Sequence, residues 1–165
     1  MGSPIIVANS TPLILLEKIG RLDLLKHLYG EIAIPEAVYK EVILDYPAND
    51  KDFITDYTWI DIIKIQNNQA KILFATSLHE GEVETMMLAM ELSADLCILD
   101  DLLARKYARN IGLNITGTLG ILLAAKGKGF ITDVKPEIDK LIQIGMYISS
   151  DLYTSILSSA KGNSN

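Results

Sequence analysis

The reactive side chains of this sequence are mainly carboxylates, with 21 Asp and Glu against one cysteine and two histidines, His27 and His79. Neither histidine has a partner at zinc-ligand spacing. There is also no Gly-rich phosphate loop ending in Lys and Ser or Thr, and no nucleophile elbow. With so few soft ligands, a metal bound here should be a hard, oxygen-liking ion, Mg2+ or Mn2+.

Three places could gather such ligands. On a helix over residues 35–44, with about 100° between successive residues, Ala37, Val38, Val42 and Leu44 define an apolar arc, and Glu41 falls inside it. Glu36 and Lys40 point the other way. A carboxylate aimed at the core must be ion-paired, protonated or metal-bound, so a salt bridge to a buried arginine or lysine and a metal ligand weigh about equally for Glu41. The run His79, Glu80, Gly81, Glu82, Val83, Glu84 crowds acids around a helix start, where the macrodipole stabilises them whatever their function. With Val83, Met86, Met87 and Met90 as the core stripe, Glu82 flanks one side beside small Ala89 and Glu84 the other. Glu82 is therefore the expected ligand and Glu84 the weaker candidate. Asp100 and Asp101 follow an apolar strand; one should cap the next helix, which leaves Asp100 for the crevice and makes Asp101 the weaker ligand.

These residues depend on the elements that carry them. The apolar run of Ile5, Ile6 and Val7 reads as a buried parallel strand ending at Asn9 and Ser10, and Thr11 then Pro12 as a helix start. Gly20 interrupts, a second helix follows through Leu28, and Gly30 ends it. A strand over 32–34, a helix opened by Pro35, a loop over 45–52 and a strand within 59–65 come next. Gly81 precedes a helix through Met90, followed by a strand over 96–99, a helix over 101–111, a strand over 113–115 and a helix over 117–126. Strand and helix alternate, which predicts an α/β fold with a mostly parallel sheet covered on both faces. In such sheets the functional crevice lies beyond the carboxyl ends of the strands, where Asn9 and Asp100 fall. From about Val134 the pattern is helical only, with Gly145 as a stop, Ser149 or Ser150 as the next cap, and a frayed end over 161–165.

The 165 residues, 49% apolar, suit a single domain over residues 4–160 with one sizeable core. Apolar runs such as 13–16 and 121–125 are far shorter than the ~20 residues needed to cross a bilayer, so no membrane partner and a cytoplasmic location are expected. Cys97, set in an apolar run, reads as core filler. The net charge of −6 argues against a module that grips nucleic acid by overall attraction, although a bound cation would reverse the sign locally. Arg105, Lys106 and Arg109 form a basic patch after Asp101, read by default as a solvated helix face.

The stretches VANSTPLILLEKIGRLDLL, IAIPEAVYKEV, HEGEVETMMLAMEL, LCILDDLLARKYARNIGL, TGTLGILLAAKGKG and VKPEIDKLIQIGMYIS resemble, in order and spacing, the PIN-domain family, and within it a PIN-like subgroup of predicted nucleic-acid-binding proteins. The resemblance spans nearly the whole chain and implies a three-layer α/β/α sandwich. It implies a metal-dependent single-strand ribonuclease, many such proteins being toxins of toxin–antitoxin pairs. RNA, a cognate antitoxin and a second copy of the chain are then the expected partners. Carried over position by position, its acids fall on Glu41, Glu82 and Asp100, while Asn9 stands where aspartate is usual. Thr116 and Thr118, at the next helix start, and Arg105 are candidate nucleic-acid contacts, with a plain cap the simpler role for Thr116. A binding or regulatory protein that keeps the fold and has lost full activity is the rival reading, favoured by Asn9 and the negative charge. A phosphatase-like hydrolase would need a nucleophilic aspartate after the first strand, which Asn9 cannot supply.

Overall fold

The computed structural model describes residues 2–45, 56–74 and 77–162. Five short strands, β1 (Ile6–Ala8), β2 (Ile32–Pro35), β3 (Ile60–Ile63), β4 (Leu96–Ile98) and β5 (Ile115–Thr116), form one sheet in the order β3-β2-β1-β4-β5. Every pairing is parallel. Side chains alternate across the sheet and so feed two cores. Ile6, Ala8, Ile32, Ile34 and Ile98 join helices α1 (Ser10–Lys18), α2 (Asp23–Tyr29), α3 (Glu36–Asp45) and α6 (Thr118–Gly127) on one face. Val7, Ala33, Cys97 and Leu99 meet α4 (Glu80–Glu91) and α5 (Leu102–Asn110) on the other. The result is the expected three-layer α/β/α sandwich. Cys97 is buried there as a free thiol, its pKa pushed up to about 12 by burial.

The chain leaves β1 for β2 and β3 on one side, then returns to β4 on the other side of β1. Strand order therefore reverses between β1 and β4, and at such a switch point the loops diverge and leave a crevice at the carboxyl ends. Asn9 and Asp100 stand at those ends, tied by the Asn9 N–H donating to the Ile98 carbonyl at 3.0 Å.

Several local expectations shift. Helix α1 begins at Ser10 with Asn9 in the cap position, not at Thr11, because proline is tolerated anywhere in a first turn whose N–H groups have no intrahelical acceptor. Gly81 lies inside the first turn of α4, not ahead of it. Leu44 and Met90 were assigned to core faces but are 88% and 49% exposed. Leu44 sits in the last turn of α3 and Met90 in that of α4, where each helix runs past the sheet. Between the two helices a 3-10 helix (Asn68–Phe74), unanticipated from the periodicity, is anchored at its start by the Gln66 and Asn67 amides on the Glu91 carboxylate. Gly117, not Thr116, occupies the cap position of α6, since Thr116 is still paired in β5. The loop expected over 45–52 lies, past Asp45, outside the described residues.

Two helices close the chain, α7 (Lys135–Gln143) and α8 (Ser150–Gly162). Gly145, with φ +105, turns the backbone between them in a region unfavourable to L side chains. The Ser149 hydroxyl caps α8 by accepting from the Leu152 amide at 3.1 Å. Helix α8 stays regular through Gly162, past the expected fraying point, and 163–165 lie outside the described residues. Helix α7 is pinned to the α1–α2 turn by Glu137, whose side chain is 4% exposed and whose Oε1 meets Arg21 Nη2 at 2.8 Å and Lys140 Nζ at 3.7 Å. The other oxygen, Oε2, has no hydrogen-bond partner among the described residues, so the charge depends heavily on the arginine. Glu137 in turn raises the Arg21 pKa. Arg21→Ala should destabilise the fold by about 2 kcal/mol in a denaturant titration, because a buried carboxylate loses its main counter-charge. Glu137→Gln, which removes the charge with the shape kept, should cost less.

Candidate functional site

Four small constellations sit at the carboxyl ends of β1 and β4. Asn9 is 3% exposed, and its Oδ1 faces the Thr85 hydroxyl at 3.4 Å. That hydroxyl has one proton and gives it to the Gly81 carbonyl at 2.6 Å, so Asn9 Oδ1 retains most of its accepting capacity. Serine or threonine bonding back one turn is a common device in helices, and it explains how Thr85 is buried inside α4 at little cost.

Glu41 is half-buried and accepts a hydrogen bond from Ser10 Oγ. Its carboxylate lies over the first turn of α4, so close that a Cβ added at Gly81 would stand 2.7 Å from Glu41 Oε2. The absent side chain at 81 thus makes room for the acid, and the positive end of α4 favours its charge. Among the described residues Glu41 has no ion pair with arginine or lysine; a hydroxyl and a helix terminus serve instead.

Glu82 is buried. Its Oε1 reaches back to accept from the His79 backbone amide at 3.3 Å, while Oε2 has no hydrogen-bond partner among the described residues. Burial, then the nearby Asp101 carboxylate, raise the Glu82 pKa, against smaller opposing effects of His79. Asp101 caps α5 as expected, its Oδ2 accepting from the Ala104 amide at 2.9 Å, and is the carboxylate that Glu82 faces.

Asp100 turns toward α6. Its Oδ1 accepts from the Thr118 amide at 2.8 Å and its Oδ2 from the Thr118 hydroxyl at 2.5 Å. Thr118 is buried, and both its donors are committed to Asp100, not open to a phosphate. Gly117 permits the approach, since a Cβ there would stand 2.6 Å from Asp100 Oδ1 and 2.8 Å from Arg105 Nη1. Thr116 is half-buried in β5 and its hydroxyl lies over Gly120. Arg105 separates from its neighbours: Lys106 and Arg109 are exposed, but Arg105 is half-buried and donates from Nη1 to the Leu99 carbonyl at 2.9 Å.

Glu84 lies apart from these groups. It accepts from the Ala37 amide at the start of α3 at 3.2 Å and pairs with Lys71 at 2.5 Å, which accounts for its charge structurally. The same lysine holds exposed Glu80 at 2.9 Å. A cavity of about 250 Å3 beside this pair is lined by Glu41, Lys40 and Lys64.

The fold therefore brings Glu82 to Asp101, Asp100 to Thr118 and near Arg105, Glu41 to Ser10 and Gly81, and Asn9 to Thr85. It does not close Glu41, Glu82 and Asp100 into one cage. Among the described residues no group of three His, Cys, Asp or Glu side chains converges as a metal cluster. Next to Asp100 and Asp101 a cavity of about 390 Å3 opens, walled by Thr11 and Leu15 of α1 and by Ile144, Gly145 and Met146. Ser10, Thr85 and the Glu82–Asp101 approach were not anticipated. Ser10 could have been flagged by standing next to Asn9 after the strand, and Thr85 by lying one turn after Gly81.

Two measurements probe this packing. Gly81→Ala should destabilise the protein, whereas in a Glu41→Ala background the same change should stabilise it by up to about 1 kcal/mol, the helix preference of alanine over glycine. For Glu82, a pKa raised in the folded state means that the fold binds its proton more tightly than the unfolded chain does. Its contribution is full below pH 4.5, the ordinary value, and is lost as pH rises through the elevated folded value. Glu82→Gln measured in chelator should therefore melt higher than the parent at pH 7, with the gain disappearing below pH 4.5. An unchanged melting temperature at pH 7 would contradict the burial argument.

No curated protein matches this chain. The profile of the DUF3368 family, described as a PIN domain, matches residues 5–162, and among the described residues no helix is long and apolar enough to cross a membrane. Taken with the parallel sheet and the acids at its switch point, that match places the chain in this PIN-domain family, within the PIN-like nuclease superfamily.

Proposed function

We propose that this protein is a metal-dependent single-strand ribonuclease whose acidic site is centred on Glu82 and Asp101. The observation that carries the reading is Glu82 Oε2, a buried carboxylate oxygen without a hydrogen-bond partner among the described residues, set against a second carboxylate. Such an arrangement is costly unless a proton or a cation occupies it. The donors are all oxygens, which suits Mg2+ or Mn2+, and Mg2+ is held by as few as one or two carboxylates with water completing its shell. Glu82 and Asp101 would hold the ion with water completing its shell, and Asn9, Asp100 and Glu41 would act on it only through that water, since no third acid converges on the pair among the described residues. When bound, the cation supplies charge compensation for a phosphodiester and lowers the pKa of water. The protein's own residues provide the rest. Burial and the neighbouring Asp101 raise the pKa of Glu82, so a proton competes with the cation for this carboxylate. The Asp100–Thr118 clamp fixes the end of β4, and the cavity beside Asp100 and Asp101 gives a strand of RNA an approach. A toxin role, with a cognate antitoxin covering the site, is the cellular form of this proposal.

A second reading is a nucleic-acid-binding regulator with weakened catalysis. Asn9 favours it, because a neutral amide replaces a charged donor, as does the lack of a third converging acid among the described residues. The two readings part in one experiment. With Mn2+ or Mg2+, the parent should melt higher than in chelator and should cleave single-stranded RNA. Glu82→Gln and Asp101→Asn, the latter retaining a good helix cap, should lose both effects. Metal-induced stabilisation without cleavage, with cutting gained in Asn9→Asp, would establish the regulator. No response to either metal in melting or in cleavage would remove the proposed site.

A further inference from the structure

The chain is negative overall, and its strand ends collect carboxylates, so a phosphodiester reaching them meets repulsion unless a fixed positive charge stands in the crevice. Lys71 does not serve, since Glu80 and Glu84 hold it. Lys106 and Arg109 project into solvent from α5. Arg105, one turn into the same helix, is drawn inward beneath the β4–α5 junction, where the Leu99 carbonyl accepts from Nη1. Its nearest acid is already engaged, because both oxygens of Asp100 accept from Thr118. Among the described residues Arg105 forms no ion pair within 4.0 Å. Gly117, lacking a Cβ, lets Asp100 Oδ1 and Arg105 Nη1 close on the same point at the end of β5, where a Cβ would stand 2.6 Å from one and 2.8 Å from the other.

A half-buried guanidinium is costly to desolvate, and burial together with Arg109 does lower its pKa, against the pull of Asp100. One carbonyl acceptor does not use a planar fork with five N–H donors matched to the oxygens of a phosphate. We infer that Arg105 is the phosphate-binding residue at the end of β4, holding a non-bridging oxygen of a single-stranded RNA backbone beside Asp100. The inference rests on the nuclease or nucleic-acid-binding reading for its ligand, and on the geometry at Gly117 for its residue.

The test has two arms. In chelator, where cleavage is suppressed, binding of a single-stranded oligoribonucleotide is titrated against salt. Each phosphate contact to a single strand contributes about 0.7 to the slope of log K against log salt. Arg105→Ala should lower the slope by about 0.7 and weaken binding, Arg105→Lys should keep the slope, and Lys106→Ala should leave the Arg105-dependent part intact. In the second arm, inorganic phosphate is added to the parent protein and the Arg105 Nε–Hε resonance is followed by NMR, which requires no folded variant. A saturable shift of that resonance supports the assignment even if Arg105→Ala fails to fold. A parent that binds RNA with an unchanged slope in Arg105→Ala, or whose Arg105 resonance ignores phosphate, overturns it. A parent that binds no RNA yet shifts with phosphate sinks the RNA reading and leaves Arg105 as an anion site.

Discussion

Helix α4 governs this structure because it has no exposed face across most of its length: Gly81 through Ala89 are all buried, between the sheet, α3 and the 3-10 helix. A helix in that position must satisfy every polar atom it carries inside the protein. Thr85 does so by bonding back to Gly81, and Glu84 by taking the Ala37 amide and the Lys71 ammonium. Glu82 satisfies one oxygen and leaves the other without a hydrogen-bond partner among the described residues. The contrast between these two acids, two residues apart, separates structure from chemistry. One is neutralised by its surroundings, and the other is held in a state that a proton or a cation would relieve.

Much of this was legible beforehand because parallel strands buried on both faces read as short apolar runs and their helices carry recognisable starts and stops. The inward aim of Glu41 follows from helical periodicity, and the choice of Asp101 as cap from where the strand before it must end. What could not be read is which acid meets which partner. Periodicity assigns a face to a side chain, not a distance, and a carboxylate can swing between neighbours on one face. Asp100 was therefore expected among the ligands and is found clasping Thr118, while Asp101 caps its helix and faces Glu82 as well. In helix α4 periodicity sets Glu82 and Glu84 on the two flanks of the core stripe, whereas both are buried, and the 3-10 helix beside them gives no periodic signal at all.

Arginine placement follows a similar logic. A basic cluster on a helix reads as one solvated patch, yet a helical turn separates its members by 3.6 residues, and a shift of one position can send a side chain inward. Arg105 is carried to the sheet while Lys106 next to it faces water. Charge composition alone treats the three as one patch, whereas burial separates Arg105, held at the Leu99 carbonyl, from the two residues that face water.

The clamp between Asp100 and Thr118 joins the tip of a central strand to the origin of a helix through two hydrogen bonds, so that bank of the crevice is stiff. The opposite bank, at Gly145 and Met146, follows α7, which Ile138 and Leu141 seat in the core. One wall is thus set by polar bonds and the other by apolar packing, so a guest between them would meet two surfaces of unlike chemistry.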